Sequence, residues 1–140
     1  MSAIIHFETK PPCWPRLEKE FSVRWVPGVT VTYGGEIYTH GKEIKDDVLV
    51  HEMVHVGQQQ GIEPEDYLDR YINDREFRKE MELAAYVIHN AYLRATMKDD
   101  AKLWTRLYTN VKAFAMTCKL DLEEADKMIA NYQQPKVIQP

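Results

Sequence analysis

An α+β fold is expected for this chain: a small antiparallel hairpin sheet first, then a mainly helical half with a histidine-bearing helix at its centre. Three observations lead there. Val29, Val31 and Tyr33 alternate with Thr30 and Thr32 at the period of a strand. Ile37-Tyr38-Thr39 resumes that strand beyond Gly34-Gly35, a two-residue hairpin signal. From Ile44 onward the period lengthens, with Val48, His51, Val54, His55 and Gln58 at helical spacing, and helix starts and stops follow to the end.

Each element has its own justification. Residues 1–15 read as irregular because Pro11, Pro12 and Pro15 interrupt backbone hydrogen bonding, and residues 1–14 are expected to be loose. Pro15 suits the first turn of a short helix over 15–21. Residues 22–40 hold the antiparallel sheet, which Gly41 ends. Asp46 or Asp47 suits the first turn of the next helix, and Gly61 is its stop. EPEDYLDRYI (63–72) is a helix opened by Pro64. The longest pattern covers 75–97, where Phe77, Met81, Ala84, Ile88, Tyr92 and Ala95 recur every three or four positions. Leu103, Leu107, Val111, Phe114 and Ala115 repeat it over 99–118. Asp121 and Glu124 have capping-box spacing for a last helix to about Asn131. Residues 133–140 are expected to be loose. With no internal repeat and no composition break, residues 1–140 read as a single domain.

Composition excludes several function classes. The chain is 44% hydrophobic and 29% charged with a formal charge of −4, which is the balance of a folded globular protein. No basic stripe is present, so no nucleic-acid partner is expected. No apolar run approaches the roughly 20 residues of a membrane span, so no membrane partner is expected. The start, MSAIIHFETKPPCWP, lacks the basic and long apolar regions of a secretion signal. Two cysteines, Cys13 and Cys118, fit unpaired thiols in a reducing compartment.

Chemistry is concentrated in HEMVHVGQQQ (51–60). On a helix, His51 and His55 project from one face and can meet one ion. Glu52 lies about 100° round the helix, where it reaches a water on the metal rather than the metal itself. Zinc lowers the pKa of such a water to about 7, and a carboxylate at hydrogen-bond distance accepts its proton. Met53, Val54 and Val56 make the other faces apolar, and a buried helix rarely carries two histidines and a glutamate without a use for them.

A catalytic zinc requires a third protein ligand. The extended motif HExxHxxGxxH fails, since Gln58 and Gly61 stand at its last two positions. Glu80 and Glu82, in REFRKEMELAAYVIHN, are the alternatives, and they point about 200° apart on a helix. Periodicity does not choose: the main apolar stripe passes nearer Glu80, while Glu82 shares a face with Tyr86, His89 and Leu93. Spacing favours Glu82, because Ala85 one turn on permits close approach of the histidine helix, where Glu80 is followed by bulky Leu83.

HEMVHVGQQQ followed by Glu82-Leu83-Ala84-Ala85 resembles the zincin metallopeptidases, and among them the gluzincins, whose third ligand is a glutamate on a downstream E-x-x-A helix. The stretch from VTYGGEIYTHG to MELAAY is also similar to small zincin-like proteins of bacteriophages and prophages. The resemblance spans residues 29–86. It implies a zincin-like fold with the HExxH helix central, Zn²⁺ held by His51, His55 and Glu82, and Glu52 as general base. Tyr86 departs from the pattern, standing where some gluzincins place an aspartate that supports a histidine ligand. The resemblance also implies the cytoplasm of a host cell, or a virion, as the location.

Further candidates follow. Zincins bind an extended peptide along a sheet edge, here Glu36–His40 or Val29–Tyr33. Tyr38, Tyr67, Tyr71, Tyr86 and His89 are candidate oxyanion stabilisers. His89, on the same face as Glu82, reads first as a buried, hydrogen-bonded core histidine and second as a support for the site or an alternative ligand. Gln58 stands three residues after His55, where it can orient a ligand, and solvation of the helix end is the alternative for Gln58 and Gln59. Cys13 is a remote candidate thiolate, since metal-dependent deformylases combine HExxH with a cysteine, but PPCWPR does not resemble their motif. The leading expectation is a zinc-dependent metallopeptidase acting on a peptide or protein substrate. The rivals are a zinc-stabilised binding or structural protein and a peptidoglycan cross-link hydrolase. So short a chain leaves little sequence for a full substrate cleft, so a partner protein is a candidate for its missing wall.

Overall fold

Among the described residues three strands, β1 (Ile5–Phe7), β2 (Thr30–Tyr33) and β3 (Glu36–Thr39), form one sheet in the order β1-β3-β2. The coordinates are a computed structural model that describes residues 3–132. Gly34 and Gly35 hold φ of 62° and 74°, the left-handed backbone that a two-residue turn needs to match the strand twist. They set β2 against β3 in antiparallel register, with Thr30 opposite Thr39 and Tyr33 opposite Glu36. Ile37 and Thr39 face inward and are buried, as the two-residue period requires.

The sheet is mixed rather than purely antiparallel, because β1 pairs parallel with β3, Ile5 opposite Ile37 and Phe7 opposite Thr39. Residues 3–14 are accordingly not loose. Three residues are too few to display a strand period, and their partner lies far along the chain, so local sequence carries no sign of the pairing. Cys13 and Trp14 are buried as well. The expectation for 133–140 falls outside the described residues.

Among the described residues six helices follow the expected pattern: α1 (Trp14–Phe21), α2 (Asp46–Gln58), α3 (Pro64–Asn73), α4 (Arg75–Thr96), α5 (Asp100–Cys118) and α6 (Leu122–Asn131). The chain is thus α+β. Side chains of Asp74, Asp99 and Asp121 accept the backbone N–H groups of Phe77, Lys102 and Glu124, which fixes the starts of α4, α5 and α6. Arg75 and Arg78 donate to the carbonyls of Cys118, Lys119 and Thr117, satisfying the end of α5.

Two apolar clusters result. Trp14 and Leu17 of α1 pack with Leu68 of α3 and with Val29, Val31 and Tyr33 of the hairpin. Val111, Phe114, Ala115 and Cys118 of α5 pack with Ala125 of α6 and Leu83 and Tyr86 of α4. Between them runs the contact of α2 with α4. The buried face of α4 is not the apolar stripe read from the sequence: Ile88 is exposed, and the buried positions include Arg78, Glu82, Ala85, His89 and Leu93. A face that buries polar groups looks like a solvated one in a hydrophobicity pattern.

Candidate metal centre

Two helices supply the site. His51, Glu52 and His55 are buried on α2, and each offers a ligand atom within 4.8 Å of the others. Glu82 enters from α4, where fully buried Ala85 keeps the helices close. Its Oε1 lies 2.9 Å from His55 Nε2 and 3.5 Å from His51 Nε2, and the two nitrogens are 3.2 Å apart. Glu80 is exposed on another face of α4 and takes no part.

These separations suit one small cation. Ligand atoms about 2.0–2.1 Å from a tetrahedral ion sit about 3.3 Å from one another, and the three distances here bracket that edge. Each remaining donor atom is engaged elsewhere. His55 Nδ1 contacts Gln58 Oε1 at 2.8 Å, and His51 Nδ1 contacts His89 Nδ1 at 3.2 Å. The Tyr71 hydroxyl donates to Glu82 Oε2 at 2.7 Å. Both imidazoles thus turn Nε2 toward the same point, and the buried group can hold a metal ion.

Electrostatics agree. Burial opposes a charge on His55, but Glu82 overrides it by charge and hydrogen bond and pushes the imidazole up to about 10. Burial likewise works against ionised Glu82, and His55 and His51 overcome it, holding the carboxyl well below its ordinary range. The chain alone therefore places a proton where a cation fits. Glu52 behaves differently: burial raises its carboxyl, with only partial opposition from His51 and His55. Its Oε1 is 3.5 Å from the Thr32 hydroxyl on β2.

Gln58 and Gln59 are not surface groups, unlike the exposed Gln60 that follows them. Gln58 meets His55 and donates to the Met81 carbonyl of α4 at 3.0 Å. Gln59 accepts from the Gly35 N–H at 3.0 Å and donates to the Thr32 carbonyl at 3.1 Å, fastening α2 to the hairpin.

The other candidates separate. Tyr71 is committed to Glu82, and Tyr67 lies 3.4 Å from Gln58 Oε1. Tyr86 sets its ring edge-on to His51, with centroids 4.4 Å apart. Tyr38 stacks on His6 across the sheet, apart from the site. His89 meets Nδ1 of His51, the nitrogen turned away from Glu82 and His55, so it is not a ligand to the same ion. Burial, with lesser opposition from Asp47, lowers its pKa. Cys13 sits in the α1 cluster with its thiol pushed up to about 11, chiefly by burial, the reverse of a ligating thiolate. Glu36–His40 is excluded as a peptide-binding edge because β3 is paired on both sides, whereas β2 is an edge strand.

A cavity of about 770 Å³ opens on the site, lined by His51, Glu52, His55 and Glu82 and by apolar residues such as Trp14, Leu17, Val29 and Val31. That size suits a bound ligand. Comparison with protein-family models, with curated proteins and with solved structures found no match. Among the described residues no helix is long and apolar enough to cross a membrane.

Sequence reasoning missed Asp47 and Arg106. Asp47 is buried, accepts from His89 Nε2 at 2.7 Å and pairs with Arg106. A signal existed for Asp47, which stands one helical turn before His51 just as His51 stands one turn before His55. Nothing local marks Arg106.

Proposed function

We propose that this chain is a zincin-type, zinc-dependent hydrolase that cuts an amide bond in a peptide or protein, with His51, His55 and Glu82 holding the ion and Glu52 as general base. The observation that carries this reading is the meeting of three donor atoms at 2.9–3.5 Å with a further buried carboxylate beside them. Glu82 is the ligand because its Oε1 is the oxygen in contact with both imidazoles while Tyr71 holds the other oxygen. Glu52 is the base because a purely structural site has no need of it. The resemblance of HEMVHVGQQQ and the E-x-x-A helix to gluzincins supports the same assignment.

Zinc bound there supplies Lewis acidity and brings the pKa of a water to about 7. The Glu52 carboxylate takes the proton of the attacking water and passes it to the leaving amine; a pKa held above the ordinary carboxylate value helps the second transfer. The substrate chain lies along β2, the sheet edge that reaches Glu52 through Thr32.

The test is Glu52→Gln, assayed against unfolded proteins, oligopeptides and peptidoglycan fragments. Turnover is expected to fall by about 10²–10⁴ with zinc content unchanged. A zinc-loaded wild-type protein that cleaves nothing in this screen would sink the enzyme reading. The zinc-stabilised binding module would replace it, a role favoured by the burial of the site between two apolar clusters.

A further inference from the structure

We infer that His89, held by Asp47 and Arg106, is a positioning residue that dictates which nitrogen of His51 is free to bind the metal. The inference rests on the proposed role of His51 as a ligand. Its ground is a continuous set of contacts from α2 to α4 to α5. His51 Nδ1 lies 3.2 Å from His89 Nδ1, His89 Nε2 lies 2.7 Å from Asp47 Oδ2, and Arg106 donates to the same oxygen. His51, His89 and Asp47 are all buried.

The direction of each hydrogen bond follows by elimination. An ionised carboxylate only accepts, so His89 must donate from Nε2. Arg106 already meets the charge on Asp47, so a second cation is not called for and His89 is the neutral ring. Its Nδ1 is then an acceptor, and the contact with His51 requires the proton to be on His51 Nδ1. That leaves the lone pair of His51 on Nε2, the nitrogen that faces His55 and Glu82. Tyr86 stands at the position where the resemblance places a supporting aspartate, and it offers His51 only its ring. The support reaches His51 instead through a second histidine. Outer partners of ligating histidines typically change metal affinity 10–100-fold.

Two variants of His89 separate orientation from packing. Gln at this position presents an oxygen and an N–H to the same two neighbours, whereas Leu fills space and leaves Asp47 and His51 Nδ1 unpaired. Zinc dissociation constants, measured by competition with a chelator, are expected to rise 10–100-fold for His89→Leu and to stay within a few-fold of wild type for His89→Gln. A residue that merely packs would give the opposite order, and that result overturns the inference. If His89→Leu does not fold, two-bond proton–nitrogen correlation spectra of the wild-type histidines decide the matter. Protonated Nε2 and bare Nδ1 on His89 are expected with and without zinc, and the reverse pattern overturns the inference. A wild-type protein that binds no zinc defeats the proposed function separately, and the His89 pattern of the metal-free chain still tests the hydrogen-bond chain.

Discussion

The seam between α2 and α4 and the cluster between α5 and α6 are equally well buried and chemically opposite. Phe114, Cys118 and Ala125 are fully buried in an apolar cluster, and burial of apolar surface is their main contribution. The seam encloses Asp47, His51, Glu52, His55, Glu82 and His89, six titratable groups that each lose hydration. No buried side-chain nitrogen or oxygen among the described residues lacks a partner, so the seam is organised at every atom. Apolar residues of similar volume would often hold two helices as well or better. The difference teaches that the cluster holds the fold, while the seam is kept for what its polar atoms do together.

The comparison can be broken from either side. The largest effect is expected for Glu82→Ala, which removes the oxygen that meets both imidazoles. Zinc content by metal analysis should fall from one ion per chain to almost none, while Glu80→Ala on the solvent side leaves it unchanged. The reverse order would move the ligand to Glu80. Phe114→Ala should cost about 3–5 kcal/mol in urea unfolding, as cavity formation in a closed core does. Its folded fraction should still bind one zinc. A loss of zinc there would mean that Tyr86, 5.9 Å from Phe114 and in contact with His51, ties the two regions together.

A smaller effect concerns the proton between His55 and Glu82. With His55 pushed up to about 10 and Glu82 held low, the metal-free site carries a proton throughout the neutral range. Zinc needs the neutral imidazole, so uptake displaces that proton, and affinity rises with pH until His55 titrates freely. The expected slope is about tenfold per pH unit between pH 6 and 8, or about 1.4 kcal/mol. Calorimetry in buffers of different ionisation enthalpy checks it, and uptake without proton release would contradict the pair. The smallest change is Gln59→Ala, which unfastens α2 from the hairpin at two hydrogen bonds. It should cost about 1–3 kcal/mol by denaturant titration, with zinc affinity nearly intact.

Much of this was determined by the sequence alone, and the common feature of those parts is short range. The helix start at Asp121, the Gly34-Gly35 turn, and the shared face of His51 and His55 all depend on residues within a turn or two of one another. Their backbone geometry is the same wherever the segment packs. The choice of Glu82 over Glu80 was half legible, since Ala85 indicated close approach but the apolar stripe pointed elsewhere. Only the tertiary structure decided the rest. The parallel pairing of β1, the buried polar face of α4, and the Asp47 contacts join distant segments; Asp47 is 42 residues from His89 and 59 from Arg106. Such contacts leave no periodic trace, because a polar side chain buried against a distant partner has the same identity as one left in water. Which of the two it becomes is settled when the helices pack.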